Sequence, residues 1–198
     1  DMRPLPPAGE DHLSKRCPEE KTCIYVGGLD GGYGVGMLLE ALERLNAGDG
    51  TYRLILVCRE KEWEAFQSPY KEAPWLEVHH TSGEGLKPLY ARAAVSVIPV
   101  SPTPYTHLAV NVKLFDYLSY GLPVVVTNAR AISAIVRENG IGIVVPYDAK
   151  AMAEALQSVM DCPEKRKELE EHCAKSLQNG NLWIHRVQQV TRELTEKA

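Results

Sequence analysis

The sequence predicts an α/β fold built on a Rossmann-like, doubly wound parallel sheet of about six strands. Six short runs of buried-strand character alternate with helix-like segments, and this alternation is typical of a parallel sheet with helices on both faces. The first run leads straight into a glycine-rich turn, and residues 111–128 combine a short helix, a Gly-Pro break and a buried strand. Because ligands of such sheets bind outside the carboxyl ends of the strands, we expect site residues in the turns that follow them.

Composition limits the class of protein before any motif is considered. The chain has 198 residues, of which 44% are hydrophobic and 24% are charged, and this suffices for one domain with its own core. A net charge of −4 argues against a nucleic-acid partner, which needs a basic surface. No apolar run approaches the roughly 20 residues that span a bilayer. The five cysteines lack metal-ligand spacing, so we expect reduced thiols and no metal site.

The first half of the chain contains three predicted strands, at residues 22–28, 52–58 and 75–80. The first strand, its turn at residues 29–34 and a helix over residues 35–45 can aim backbone N–H groups at an anion such as a diphosphate, although a glycine-rich turn is equally often a plain loop. Arg59, just past the second strand, is either a cation for a ligand or a solvated arginine. His79 and His80 point to opposite faces of the third strand and cannot chelate one ion, and no acidic partner lies nearby in sequence.

The central stretch presents a charged pair just before a buried strand. After a helix over residues 85–93, a strand over residues 95–100 and a loop from Ser101 to His107, residues Val112, Leu114, Phe115 and Leu118 lie at helical spacing and predict a buried face. Lys113 and Asp116 share the opposite face. Gly121 ends this helix, and Val124–Val126 form the fifth strand. The pair is either a surface ion pair or part of a binding site.

The remaining elements are predicted from caps and periodicity. A helix over residues 132–138 and a strand over residues 140–146 come first. Asp148 is expected to cap a helix over residues 149–160, and Pro163 opens a helix to about residue 178. A polar helix over residues 183–196 ends the chain.

Four stretches in order carry a resemblance to a known family: IYVGGLDGGYGVGMLLEAL, LYARAAVSVIPVS, KLFDYLSYGLPVVVTN and NGIGIVVPYDAKAMAEAL. They resemble motifs in the C-terminal, nucleotide-binding domain of retaining glycosyltransferases of the GT-B architecture, in glycosyltransferase family 4 and its relatives. The resemblance implies that residues 21–178 form a Rossmann-like donor-nucleotide-binding domain. It also implies that residues 1–20 are an interdomain linker and that residues 179–198 form a helix that packs back towards an N-terminal domain outside this sequence.

The resemblance and the strand ends together define an expected donor site. At the donor nucleotide and its diphosphate we expect Gly27, Gly28, Arg59, Thr81, Asn111, Lys113 and Asp116. At the donor sugar we expect Tyr105, Thr106 and His107. In the resembling family, Asp116 corresponds to an acid that accepts hydrogen bonds from the ribose, and Lys113 corresponds to a lysine of the sub-lineages whose signature begins KLFEY. Thr81 corresponds to a turn whose backbone meets the base.

Three positions depart from the family pattern. Gly28 and Tyr33 stand where an arginine and a lysine hold the donor diphosphate, and Leu108 stands where a first carboxylate binds the donor sugar. Diphosphate recognition is therefore expected to rest on backbone N–H groups and on cations from elsewhere, or to have been lost.

The expected function is that of the donor-binding domain of a retaining glycosyltransferase. Such an enzyme transfers a sugar from a nucleotide diphosphate sugar, of UDP or GDP type, to a glycan or lipid-linked acceptor in cell-surface polysaccharide or glycoconjugate synthesis. No cofactor beyond this substrate is expected, and the location is cytoplasmic, with peripheral association of the full-length enzyme with the inner face of the membrane left open. This chain alone is expected to be inactive without the acceptor domain. The alternatives are a non-catalytic binding or assembly module of the same fold and a nucleotide-sugar epimerase, for which only Asp116 offers a carboxylate.

Overall fold

The computed structural model describes residues 21–29, 31–48 and 50–178. Its strands are β1 (Thr22–Val26), β2 (Arg53–Val57), β3 (Leu76–His79), β4 (Val95–Ile98), β5 (Val124–Thr127) and β6 (Gly142–Val145). They form one six-stranded sheet in the order β3-β2-β1-β4-β5-β6, and every neighbouring pair is parallel. The predicted α/β fold with a doubly wound parallel sheet is confirmed.

Helices cover both faces of this sheet. They are α1 (Val35–Leu45), α2 (Glu60–Ala65), α3 (Lys87–Arg92), α4 (Lys113–Ser119), α5 (Arg130–Asn139), α6 (Ala149–Met160) and α7 (Pro163–Gln178). Buried residues of α1 and α6 pack with Cys23 and Tyr25 on one face. Buried residues of α3, α4 and α5 pack with Ile24 and Val26 on the other. Successive β1 side chains thus enter opposite cores, which explains why the strand is apolar throughout.

The strand order reverses between β1 and β4. β1 pairs with β2 as far as Val26 and Val57, whereas its pairing with β4 is limited to Cys23 with Val95 and Ile24 with Ser96. The two central strands therefore part before their carboxyl ends. This is the topological switch point at which ligands of doubly wound sheets bind.

Several element boundaries agree with the sequence predictions. Helices α1, α6 and α7 have the predicted ends. Asp148 caps α6, since its Oδ1 accepts a hydrogen bond from the Ala151 N–H at 2.8 Å. Gly121, just past α4, has a φ of 63°, a conformation that favours glycine at the end of a helix.

Three predictions are corrected by the structure. Residues 85–93 do not form one α-helix, because a 3₁₀ turn over Gly83–Leu86 precedes α3. Helix α5 begins at Arg130 and not at residue 132. Val112 is 54% exposed, because it precedes the first residue of α4. The buried positions of α4 are Leu114, Tyr117 and Leu118, which keep the helical spacing of three and four.

Four of the five cysteines lie in the described part of the chain. Cys23, Cys58 and Cys173 are buried and Cys162 is half-buried, which agrees with the prediction of mostly buried cysteines. Cys17, the predicted linker over residues 1–20 and the predicted terminal helix lie outside the described residues. Among the helices of residues 21–29, 31–48 and 50–178, none has the length and apolar character needed to cross a membrane.

Candidate functional site

The turns at the carboxyl edge of the sheet are joined to one another by hydrogen bonds. The Ser101 N–H donates to the Gly32 carbonyl at 3.0 Å, which ties the loop after β4 to the glycine-rich turn after β1. The Thr127 hydroxyl at the end of β5 donates to the Val100 carbonyl at 2.5 Å. Turns from three strands around the switch point are therefore held in a fixed relation.

The glycine-rich turn after β1 uses several of its own polar groups to hold its shape. The Gly27 N–H donates to the Val57 carbonyl at 3.0 Å, and the Leu29 N–H donates to Glu62 Oε2 at 3.3 Å. The Tyr25 hydroxyl donates to the Gly28 carbonyl at 2.6 Å. Of the two glycines expected at the diphosphate, Gly27 thus has its N–H engaged by a neighbouring strand.

An aromatic ring fills the space where the family pattern places charge. A Cβ added to Gly28 would lie 2.8 Å from Tyr33 Cε2, so the Tyr33 ring packs directly against the Gly28 backbone. Tyr33 is 41% exposed. The two departures from the pattern are therefore in mutual contact: glycine at one position makes room for the phenol at the other.

Helix α4 places the predicted charged pair at the same edge. Lys113 Nζ lies 3.0 Å from Asp116 Oδ2, and their side chains are 33% and 38% exposed. Asn111 Oδ1 accepts a hydrogen bond from the Lys113 N–H at 3.0 Å and so closes the start of the helix. The Lys113 ammonium has three donors and Asp116 has a second oxygen, so one mutual contact leaves both groups able to bind a ligand.

Arg59 and Thr81 lie past the carboxyl ends of β2 and β3. The Arg59 side chain is 86% exposed, and its Nη1 donates to Glu62 Oε1 at 2.8 Å. Glu62 thus joins Arg59 to the Leu29 N–H of the glycine-rich turn. Thr81 is exposed, and a Cβ on Gly85 would overlap its hydroxyl oxygen. The pairing of Arg59 with Glu62 fits a solvated arginine at a helix start. Arg59 nevertheless lies at the carboxyl edge of the sheet, where a ligand cation was expected.

The loop after β4 is stabilised by hydrogen bonds between its own residues. The Thr106 hydroxyl donates to the Ser101 carbonyl at 2.6 Å and accepts from the Thr103 N–H at 2.7 Å. His107 Nδ1 accepts a hydrogen bond from the Arg130 N–H at the start of α5 at 3.1 Å, so a neutral His107 ring carries its hydrogen on Nε2. The Thr106 hydroxyl is occupied within the loop, and His107 Nε2 is the ring atom available to a ligand.

Exposed apolar side chains gather at this edge. In the described part of the chain, the large hydrophobic residues that are exposed are Tyr33, Tyr105, Leu108, Val110, Val112 and Tyr147. All six follow the carboxyl end of a strand, and we call them the apolar rim. Tyr105, expected at the donor sugar, is among the most exposed at 78%. A concentration of exposed apolar surface at one edge is typical of an interaction surface.

A cluster on β3 corrects the expectation that His79 has no acidic neighbour. His79 Nε2 lies 2.6 Å from Glu77 Oε1, because residues two apart on a strand share a face. Both terminal nitrogens of Arg92 donate to Glu77, at 2.8 and 2.7 Å. Hydrogen bonds from Arg92 first, and from His79, hold the pKa of Glu77 down at about 2. His79 and His80 do not meet, since His80 Nδ1 lies 3.1 Å from the Cys58 carbonyl.

The described residues contain no group of three or more His, Cys, Asp or Glu side chains arranged to hold a metal ion. The charged groups at the carboxyl edge are instead distributed as pairs. Lys113 pairs with Asp116, and Arg59 pairs with Glu62. Two cations, Lys113 and Arg59, thus lie at this edge, each beside a carboxylate.

Two contributors to this edge escaped the sequence interpretation. Glu62 links a turn N–H to Arg59, and nothing in its spacing indicated this role. Tyr117 is fully buried, and its Oη accepts a hydrogen bond from the Val26 N–H at 2.9 Å. A signal for Tyr117 did exist, because a tyrosine at a buried helix position usually has a partner for its hydroxyl.

A protein-family model matches most of the chain. The family model described as "Glycosyl transferases group 1" matches residues 20–162. Among curated proteins, none matches the chain at a significant level.

Solved structures with the same fold include glycosyltransferases and a sucrose-phosphate synthase. A glycosyltransferase from Rickettsia africae superposes with a TM-score of 0.75 at 14% identity, over 95% of this chain and 52% of that one. The sucrose-phosphate synthase from Thermosynechococcus elongatus gives 0.73 at 21% identity, over 91% of this chain and 47% of that one. The C-terminal domain of a glycosyl transferase group 1 family protein from Francisella tularensis gives 0.66 at 11% identity, over 88% and 93%.

These coverages describe the size relation as well as the fold. The chain spans about half the length of the first two proteins and nearly all of the isolated C-terminal domain. At identities of this order the likeness is one of fold.

Proposed function

The chain belongs to the group 1 glycosyl transferase family, and from that premise we propose that its carboxyl edge binds the nucleotide diphosphate part of a sugar donor. The observation that carries the proposal is the Lys113–Asp116 pair at the start of α4. It is a charged pair with unused hydrogen-bonding capacity, it stands beside the switch point of the sheet, and it belongs to a chain of this family.

Lys113 is proposed as the principal cation for the diphosphate. Negative charge on the leaving diphosphate grows as the bond to the sugar breaks, and a fixed ammonium group lowers the energy of that charge. Arg59 adds a second cation at the same edge, weakened by its exposure to solvent and by its pairing with Glu62. The Gly28 backbone lies in the same turn, packed under Tyr33.

Asp116 is proposed to accept hydrogen bonds from the ribose hydroxyls through the carboxylate oxygen that Lys113 does not contact. Asn111 uses its oxygen to close α4, so its amide NH₂ is the group that faces a ligand. The backbone at Thr81 is proposed to meet the base. Tyr105, Thr106 and His107 are proposed for the sugar, with His107 acting through Nε2 and Thr106 acting through the shape of the loop.

The full protein is proposed to be a retaining glycosyltransferase of the GT-B architecture in which a second half supplies the acceptor site. The apolar rim supports this, because an exposed apolar edge is stabilised when another surface covers it. The donor would be of UDP or GDP type, and the acceptor a glycan or a lipid-linked glycan. A cytoplasmic enzyme that associates peripherally with the membrane fits this proposal.

A second candidate function is favoured by the glycine-rich turn. The arginine and lysine positions are Gly28 and Tyr33, and two N–H groups of the turn, those of Gly27 and Leu29, already have protein acceptors. A turn with fewer free donors and no cations fits a non-catalytic module that kept the fold without donor binding.

Calorimetric titration with UDP, GDP and ADP distinguishes these two functions. The donor-site proposal predicts saturable binding of one nucleotide diphosphate, weakened by Lys113→Ala and by Asp116→Ala. The corresponding nucleoside without phosphates is the matched ligand control, and its affinity should depend on Asp116 and not on Lys113. If none of the three binds at millimolar concentration, either to this chain or to the full-length protein, the non-catalytic module is the better account.

A further inference from the structure

We propose that Tyr117 is a positioning residue that holds α4, and with it Lys113 and Asp116, at a fixed distance from the turn after β1. The hydrogen bond between the Val26 N–H and Tyr117 Oη is 2.9 Å long, is buried and joins residues 91 positions apart. The consequence for nucleotide binding rests on the proposed function. The mechanical link between α4 and β1 does not.

The link arises where the two central strands part. The pairing of β1 with β4 stops at Ile24 and Ser96, so beyond this point the backbone of β1 has no β4 neighbour on that side. The Val26 N–H would then be a buried donor without an acceptor, which is costly. Tyr117 supplies the acceptor from α4, and a side chain thereby replaces a strand at the switch point.

The Tyr117 ring is packed tightly enough to fix the position of α4 relative to β1. Tyr117 is completely buried between Leu114 and Leu118 in the core beneath α4. The Tyr90 ring meets it edge-on, with 5.8 Å between centroids and 83° between the planes. Packing of this kind leaves the ring one orientation, so its hydroxyl marks a fixed point for the helix.

The charged residues lie within one helical turn of this fixed point. Lys113 is four residues before Tyr117 on the same helix, hence one turn away on the same side, and Asp116 is the adjacent residue. On the other side of the bond, Val26 adjoins Gly27, and the neighbouring Tyr25 hydroxyl holds the Gly28 carbonyl. The bond therefore joins the two parts of the proposed diphosphate site directly.

Tyr90 offers a matched control inside the same core. Its side chain is also buried, and its hydroxyl has no hydrogen-bond partner in the part of the chain that the structure describes. Tyr90→Phe and Tyr117→Phe each remove one buried oxygen from one of two touching rings. They differ in whether that oxygen holds a backbone N–H.

The first test is calorimetric titration with UDP, GDP and ADP of the wild type, Tyr117→Phe and Tyr90→Phe. Tyr117→Phe is expected to weaken binding of the accepted nucleotide diphosphate about five- to tenfold, as loss of one buried hydrogen bond would, while Tyr90→Phe leaves it within about twofold. In a Lys113→Ala background, Tyr117→Phe should cause a smaller further loss than in the wild type, because part of its effect passes through the position of Lys113. Equal affinities for the two phenylalanine variants, or fully additive losses, overturn the inference.

The second test needs no ligand and separates failure of the inference from failure of the proposed function. Amide hydrogen exchange and NMR chemical shifts are measured for the same three proteins. Tyr117→Phe should speed exchange at Val26 and shift resonances in residues 27–33 and in α4, and Tyr90→Phe should not. If both variants give the same exchange at Val26, the link is absent whatever the titrations show. If the wild type binds no nucleotide but the link is present, the proposed function fails and the positioning device stands.

Discussion

Two ion pairs of this protein, Arg92 with Glu77 and Lys113 with Asp116, differ in how many of the hydrogen-bonding groups of each carboxylate are occupied by protein partners. Arg92 places two nitrogens on both oxygens of Glu77, at 2.8 and 2.7 Å, and His79 contacts the same carboxylate at 2.6 Å. Lys113 meets one oxygen of Asp116 at 3.0 Å. The side-chain exposures are nearly equal, at 34% and 36% for the first pair and 33% and 38% for the second.

The difference indicates that exposure alone does not separate a structural pair from a functional one. Both oxygens of the Glu77 carboxylate accept hydrogen bonds from Arg92, and its pKa is accordingly low, at about 2. The Lys113–Asp116 pair keeps donors and an oxygen in reserve, beside the switch point of the sheet. We therefore expect Arg92–Glu77 to act in stability, and we propose that Lys113–Asp116 acts in binding.

The largest effect is expected from Lys113→Ala on nucleotide affinity. Loss of a charge-assisted hydrogen bond to a diphosphate should raise the Kd roughly tenfold to hundredfold, as measured by calorimetry. Lys87→Ala is the matched control, because Lys87 forms a pair of the same i,i+3 spacing with Glu84 and is 34% exposed. Equal losses for the two variants would erase the distinction between the pairs.

Arg92→Ala should act on stability and not on binding. Removal of both guanidinium contacts leaves Glu77 with His79 alone, and the free energy of unfolding should fall by about 1 kcal/mol, a modest value because the pair is partly solvated. Urea unfolding measures this change. Lys113→Ala, tested in the same way, should cost no more than about 0.5 kcal/mol. A larger stability loss at Lys113 than at Arg92 would reverse the assignment.

The stability that Glu77 contributes should depend on pH. Its folded-state pKa is lowered from 4.5 to about 2, so the contribution is present above pH 4.5 and is lost as the pH falls towards 2. After allowance for solvent screening, Glu77→Gln should reduce the free energy of unfolding by about 1 kcal/mol at pH 6. The difference between variant and wild type should shrink through pH 4 and 3. A difference that stays constant over this range would show that the ionised carboxylate is not the stabilising group.

The smallest effect is expected from Arg59→Ala. The guanidinium is 86% exposed and bound to Glu62, so its pull on a diphosphate is screened by water and offset by the carboxylate. Nucleotide affinity should fall about threefold or less, and the loss should vanish at high salt. A loss as large as that of Lys113→Ala would mean that Arg59, and not Lys113, is the principal cation.

The sheet could be predicted from the sequence because its strands are short, apolar and separated by residues that break secondary structure. Val124–Val126 is short, entirely β-branched and preceded by Gly121 and Pro123, and these features predict a strand buried on both faces. The start of α4 was less accessible. Val112 continues the apolar spacing in sequence, but the helix begins one residue later and leaves Val112 exposed.

The types of residue at the candidate site could be predicted from the sequence, but the hydrogen bonds that hold them could not. Lys113 and Asp116 lie three apart on a helix, and the structure pairs them as that spacing implies. Three hydrogen bonds of the site join residues that are distant in sequence: Gly27 N–H to Val57, Leu29 N–H to Glu62, and Val26 N–H to Tyr117. Periodicity and turn chemistry describe local structure, so contacts of this kind appear only when the sheet is assembled.

The loop over residues 101–112 contains no lysine, arginine, aspartate or glutamate, although it bears four members of the apolar rim, Tyr105, Leu108, Val110 and Val112. A surface that covers this loop gains free energy by releasing water, and ions in the solvent have nothing there to screen. The proposed diphosphate contact at Lys113, immediately after the loop, should respond to salt in the opposite way, because its attraction is coulombic. Ionic strength is thus expected to separate the two: raising it should weaken nucleotide binding and leave coverage of the rim intact or strengthened.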